Sequence, residues 1–208
     1  MTKLKFKKKL IIFDLDGVLI DSKINMSFAW NSVKKKFNLR PSFKKYFKYV
    51  GKPFEQILKN LNIFSNYYQI SKEYNKISIN NFDKIKLYKG VKETLKHLKK
   101  KKIKTAIVTS KNLGRTRLLL KRFNINVNAV QCPNKKLRGK PFPDQILKVI
   151  KKMKMEKRNC IYIGDTKSDL IAAQKSKIDF ALANYGFKIG IKNFKVKINN
   201  ISQITKFI

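Results

Sequence analysis

No long apolar run occurs in this sequence. The longest near the N-terminus, Leu10-Ile11-Ile12-Phe13, is closed by the charge of Asp14, and none elsewhere exceeds it. Such a run is too short for a signal-peptide core and far short of the roughly 20 residues that span a bilayer. The expectation is a soluble, cytoplasmic protein without membrane contact. Cysteine is nearly missing: Cys132 and Cys160 lie far apart and in no Cys-x-x-Cys pattern. That argues against a structural disulfide or zinc site. Cys160 opens the run Cys160-Ile161-Tyr162-Ile163, where a buried free thiol is expected. The single histidine, His97, falls beside the helical stripe Val91, Leu95 and Leu98, and reads as a surface residue.

Arginine is also scarce. Of 50 basic residues only Arg40, Arg115, Arg117, Arg122, Arg138 and Arg158 are arginines; the rest are lysines, spread along the chain from Lys3 to Lys206. The formal net charge of +38 is compatible with polyanion binding. Dedicated phosphate and base readers, however, favour the bidentate arginine fork. Lysine without a dominant block, alongside abundant Asn and Ile, reads instead as compositional, and nucleic acid is not the expected partner. The field would still draw anionic substrates inward, most strongly at low salt.

With 208 residues, 43% hydrophobic and 12% aromatic, the chain can form one domain with a real core and a modest insertion. Residues 8–14 read as a buried strand stopped by the turn signal Asp16-Gly17. Further strands are expected at Lys104–Thr109, Val127–Gln131, Cys160–Gly164 and Asp179–Ala183, with a short one at Lys195–Ile198 and a closing helical turn. Helices are expected at Val91–Lys101, Leu113–Phe123, Asp144–Met153 and Ser168–Lys175. Continuous apolar strands alternating with amphipathic helices indicate an α/β fold, a doubly wound parallel sheet covered on both faces. Residues 22–87 differ. Met26, Trp30, Val33 and Phe37, then Phe54, Ile57, Leu58 and Leu61, recur at helical spacing, and a further helix runs from Tyr67 to Ile79. This predicts an inserted helical bundle, with Trp30, Phe43, Phe47, Tyr67 and Tyr68 in its core.

Ligands of a doubly wound sheet bind beyond the carboxyl ends of its strands. The polar residues that invite a function lie there: Asp14 and Asp16, Thr109 and Ser110, and Asp165 with Asp169 four residues on. Lys140 sits in a loop, within Gly139-Lys140-Pro141-Phe142-Pro143-Asp144. Converging carboxylates repel unless cations neutralise them, and hard oxygen ligands suit Mg²⁺. Adding a lysine and a hydroxyl makes a site suited to phosphoryl transfer. Each fragment alone is weak. Asp-x-Asp-Gly can be a turn, Gly-Asp-x-x-x-Asp can be a turn with a helix cap, and a lysine means little in this composition. Their joint placement at strand ends and the matching loop favours the site.

The segments Phe13-Asp14-Leu15-Asp16-Gly17-Val18-Leu19-Ile20-Asp21-Ser22, Ile107-Val108-Thr109-Ser110-Lys111, Gly139 to Asp144, and Ile163-Gly164-Asp165-Thr166-Lys167-Ser168-Asp169 together resemble the four motifs of the haloacid dehalogenase superfamily, in its phosphoglycolate-phosphatase-like branch. The resemblance covers essentially the whole chain. It implies a Rossmann-like core (residues 1–21 and 88–208) with a helical cap (residues 22–87). It further implies Asp14 as nucleophile, Asp16 as acid and base, and Thr109, Ser110 and Lys140 as phosphate ligands. Mg²⁺ would be held by Asp14, the Asp16 carbonyl and Asp165, with Asp169 in support. Val50-Gly51-Lys52-Pro53 is similar to the cap segment facing the substrate, which gives Gly51 and Lys52 a part in specificity. The implied activity is hydrolysis of a small phosphate monoester, phosphoglycolate-like or a sugar phosphate. A β-phosphoglucomutase-like mutase shares the four motifs, and a basic nucleic-acid-binding protein or polynucleotide phosphatase is a more distant rival. One departure stands out: Lys177 occupies the place after the helix of Ala172 and Ala173 where relatives usually carry glycine. A non-glycine residue in a left-handed cap costs roughly 1 kcal/mol.

Overall fold

The computed structural model describes residues 7–134, 136–191 and 194–208. Its centre is a parallel sheet of β1 (Leu10–Phe13), β4 (Lys104–Val108), β5 (Ala129–Gln131), β6 (Cys160–Gly164), β7 (Asp179–Ala183) and β8 (Lys197–Ile198), in the order β5-β4-β1-β6-β7-β8. β1 therefore lies between β4 and β6, pairing Phe13 with Ile107 on one side and Ile163 on the other.

All four residues of β1 and all five of β6 are buried, as a strand covered on both faces requires. The period of two sorts their side chains cleanly. Ile11, Phe13, Ile161 and Ile163 enter one core layer; Leu10, Ile12, Cys160 and Tyr162 enter the other. The first layer is closed by α5 (Val91–Lys100), α6 (Leu113–Phe123) and the terminal 3₁₀ segment Ile201–Phe207. The second is closed by α7 (Asp144–Lys152) and α8 (Lys167–Ser176), whose Ala172 and Ala173 present a small-residue face to the sheet. Burying each large apolar chain in these layers contributes about 1.5–3 kcal/mol.

The chain leaves this core through β2 (Ile20–Asp21) and returns through β3 (Lys86–Leu87), which pair antiparallel. Between them lie α1 (Lys23–Lys36), α2 (Phe43–Phe47), α3 (Phe54–Asn60) and α4 (Tyr67–Asn80), an inserted helical cap with its own core around Trp30, Tyr46, Leu58 and Ile70. Trp30 stacks on Tyr46 at 4.4 Å between ring centroids. Several short elements were not expected from periodicity, the β2–β3 ribbon and α2 among them. The β2–β3 ribbon has two residues per strand, and α2 has five, started by Ser42 accepting from Lys45 N–H. Both are too short to show a period.

One expected core residue is corrected. Tyr68 is 75% exposed, because the inward face of α4 is set by Ile70, Tyr74 and Ser78, and Tyr68 points off it. Among the described residues no helix is long and apolar enough to cross a membrane. Cys132 and Cys160 are free and buried, and His97 is exposed. Lys177 does cap α8 in the left-handed region, at φ 57°.

Candidate active site

The loops after β1, β4 and β6 converge beneath the cap, and each brings its predicted residue. Asp14 directly follows β1, Thr109 follows β4 and Asp165 follows β6. Lys140 comes from the long connection between β5 and α7. Its Nζ lies 2.8 Å from Asp14 Oδ2 and 2.6 Å from Asp169 Oδ1, with no exposed surface on the lysine.

Asp169 holds this lysine because its other oxygen is occupied. Asp169 Oδ2 accepts from the Thr166 N–H at 3.0 Å and the Thr166 hydroxyl at 2.7 Å, forming a capping box at the start of α8. Asp169 thus serves the start of α8 with one carboxylate oxygen, with Thr166 rather than an aspartate as the N-cap, and meets Lys140 with the other. Tyr162, from the middle of β6, donates its hydroxyl to the Val108 carbonyl at 2.9 Å and lies 3.3 Å from both Lys140 Nζ and Asp169 Oδ1.

Asp14, Asp165 and Asp169 each bring a carboxylate oxygen within 4.8 Å of the others, all buried. Burial pushes the Asp14 carboxyl up to about 7; Lys140 opposes that, while Asp169 and Asp16 reinforce it. Burial likewise raises Asp165 well above the usual carboxylate range, helped by Asp169 and Asp14. Lys140 is disfavoured by burial, yet the two carboxylates beside it hold its ammonium above the ordinary lysine value. Three carboxylates thus share one ammonium, and the cluster lacks positive charge. Asp165 shows where it is missing: Oδ2 accepts from the Phe187 N–H, whereas Oδ1 is buried without a partner among the described residues. A buried acceptor left unpaired is costly, and a divalent cation among hard oxygens would satisfy it.

Asp16 occupies a different setting. Its Oδ1 accepts from the Ser22 hydroxyl and its Oδ2 lies 3.2 Å from Lys111 Nζ, so both oxygens are tethered above the site. The Thr109 hydroxyl accepts from the Lys111 N–H at 3.2 Å. A cavity of about 240 Å³ opens between these loops and the cap, bordered by Asp14, Asp16 and Thr109 below and by Gly51, Lys52 and Tyr74 above. The cap touches the core at Gly51, whose carbonyl accepts from the Ser110 hydroxyl at 2.7 Å. With φ at +99°, and Thr166 Oγ1 only 2.8 Å from where a Cβ would be, this position admits only glycine without strain.

Of the residues expected at the site, Asp14, Asp16, Thr109, Ser110, Gly51 and Lys52 line the cavity, while Lys140, Asp165 and Asp169 cluster around Asp14 outside that lining; sequence reasoning passed over four others nearby. Lys111 and Thr166 lie within the recognised segments, and Thr166-x-x-Asp169 is a capping-box signal. Tyr162 and Arg115 carried no signal, one inside a buried strand and the other inside a helix.

Known proteins resemble this chain in sequence and in fold. A family model described as haloacid dehalogenase-like hydrolase matches residues 11–183. A phosphoglycolate phosphatase of Aquifex aeolicus is 27% identical over 206 residues, covering 96% of this chain and 91% of its own. The pyrophosphatase PpaX of Oceanobacillus iheyensis is 22% identical, over 86% of this chain and 85% of its own. The crystal structure of a hydrolase from Pseudomonas syringae superposes with a TM-score of 0.85 at 22% identity, over 95% and 96% of the two chains, which establishes likeness of fold.

Proposed function

Since the chain belongs to the haloacid dehalogenase-like hydrolases and is a phosphoric monoester hydrolase of that type, we propose that it is a Mg²⁺-dependent phosphatase acting through an aspartyl-phosphate on a small phosphorylated metabolite, phosphoglycolate-like or a sugar phosphate. The observation that carries the reading is the Asp14–Lys140–Asp169 ion cluster beside the orphaned Oδ1 of Asp165.

Asp14 and Asp165 would hold the cation, together with the Asp16 carbonyl, while Asp169 supports them through Lys140 and Thr166. When bound, the cation supplies positive charge that keeps Asp14 ionised and neutralises phosphoryl oxygens. The remaining work falls to side chains. An Asp14 oxygen attacks phosphorus as the bond from phosphorus to the ester oxygen breaks, and Asp16 gives its proton to the departing alkoxide. Asp16 then takes a proton from water, whose oxygen attacks phosphorus. The bond to Asp14 breaks, inorganic phosphate leaves, and both aspartates are restored. Ser22 and Lys111 fix the Asp16 carboxyl in orientation. Lys140, Thr109 and Ser110 hold the phosphoryl group, and Gly51 and Lys52 on the cap face the leaving group.

The test is phosphate release from a panel of phosphate esters with and without Mg²⁺, in the wild type and in Asp14→Asn. Mg²⁺-dependent release lost in Asp14→Asn is expected. Release that survives this substitution would remove Asp14 from the reaction, and release that ignores EDTA would remove the Mg²⁺ requirement.

A further inference from the structure

Arg115 projects from the first turns of α6 into the wall of the same cavity and is 94% shielded, with 6% of its surface exposed. Its guanidinium has no carboxylate partner among the described residues. Its acceptors are neutral cap groups, Asn75 Oδ1 at 3.1 Å from Nη1 and the Ser78 hydroxyl against Nη2. The Tyr74 ring lies 5.4 Å from its Cζ, and its Nε is buried with no hydrogen-bond partner among the described residues. A buried cation is ordinarily paired, because neutral dipoles return only part of its lost hydration.

A second buried cation makes the imbalance worse. Lys111 lines the same cavity and is drawn below the usual lysine range by burial and by repulsion from Arg115. Asp16 is the carboxylate within reach of Lys111, and Ser22 already shares it. Lys52 adds a further positive charge from the cap. The cluster around Asp14 thus gathers carboxylates that call for a cation, whereas Arg115 and Lys111 on the core side and Lys52 on the cap line the cavity with positive charge that calls for an anion. The transferred phosphoryl group cannot answer both, since it belongs at Asp14.

We propose that Arg115 recognises a second anionic group, a carboxylate or a phosphate, carried by the leaving-group portion of the substrate. This deepens the phosphatase reading and rests on it. Arg115 is thereby a specificity residue on the core side of the cavity, and the Asn75 and Ser78 contacts hold its fork ready from the cap side. Simple alkyl phosphates leave it unanswered.

Matched pairs of esters test this: phosphoglycolate against its neutral amide phosphoglycolamide, and ethylene glycol bisphosphate against ethyl phosphate. A charge-assisted hydrogen bond in a buried site corresponds to a preference of about tenfold to a hundredfold in kcat/KM for the anionic member. The pair with the larger ratio identifies carboxylate or phosphate as the second group. In Arg115→Met that ratio is expected to collapse towards unity, chiefly through KM of the anionic ester, with Arg115→Lys keeping part of it. Equal turnover of both members by the wild type overturns the proposal. So does an equal loss on both members in the two variants, which would make Arg115 only a latch between cap and core. If Arg115→Met does not fold, Arg115→Lys decides: a ratio reduced from the wild-type value is expected, and one unchanged from it overturns the proposal. No phosphate release from any ester would instead refute the phosphatase reading, a result distinguishable from hydrolysis without preference.

Discussion

A Cβ added to Gly17 would stand 2.0 Å from Asp165 Oδ2. The backbone of the loop after β1 is thus pressed against the carboxylate that follows β6, and φ at Gly17 is +81°. Contact this close fixes the Asp165 side chain between Gly17 and the Phe187 N–H, leaving Oδ1 as the group without a partner. Gly17→Ala must therefore displace Asp165. Outer contacts that orient metal ligands are commonly worth about ten- to a hundredfold in metal affinity. The half-saturating Mg²⁺ concentration for phosphate release is expected to rise by that factor. A variant with unaltered Mg²⁺ dependence would show that the contact does not orient Asp165.

Asp165→Asn should separate the cost of the carboxylate cluster from its use. Without a cation, removing one charge relieves repulsion on Asp14 and Asp169, so the EDTA-treated variant should melt no lower than EDTA-treated wild type. Saturating Mg²⁺ should raise the wild-type melting temperature, by about 2.7 kcal/mol of stabilisation at a hundredfold excess over Kd. It should leave the variant nearly unmoved. Melting curves with and without Mg²⁺ settle both points, and equal Mg²⁺ stabilisation of the two proteins would exclude Asp165 as a ligand.

What could be read in the sequence followed from how far each signal extends along the chain. β1 and β6 announced themselves because strands buried on both faces are continuously apolar, and the rule that ligands gather past strand ends then located Asp14, Thr109 and Asp165. Lys140 was legible only through its surrounding segment, since its burial against Asp14 and Asp169 leaves no trace in a lysine-rich composition. Arg115 was illegible for a similar reason. Its neighbours Asn75 and Ser78 lie some forty residues away on the cap, and no local period couples them. α2 and the β2–β3 ribbon escaped because a five-residue helix and two-residue strands are shorter than the periods that would reveal them.

Lys177 offers a gain in stability away from the site. It ends α8 at φ 57° and ψ 45°, donating its N–H to the Ala173 and Gln174 carbonyls, a conformation in which a Cβ is unfavourable. Lys177→Gly removes that strain and should stabilise the protein by roughly 1 kcal/mol. Urea denaturation should show a higher midpoint at unchanged slope, with phosphate release unaffected. A lower midpoint would mean that unfolded-chain entropy outweighs the strain.

Cys160 should make stability fall in a defined alkaline window. Its thiol is fully buried in β6, donates to the Glu156 carbonyl at 3.2 Å, and is pushed up to about 11 from an ordinary 9.0 by burial, against a small pull from Lys8. Below pH 9 the thiol is protonated in both folded and unfolded chains and contributes no pH dependence. Between about 9 and 11 the unfolded chain releases this proton while the folded one retains it, so rising pH favours unfolding. Tyrosines and lysines also titrate there, but Cys160→Ala shares them. The fall in stability across the window should therefore be steeper in the wild type than in Cys160→Ala, measured by urea denaturation at several pH values. Parallel falls would mean that the thiol ionises as readily in the fold as in the open chain. Iodoacetamide offers an independent check, since at pH 8 the native thiol should label only as fast as the protein unfolds.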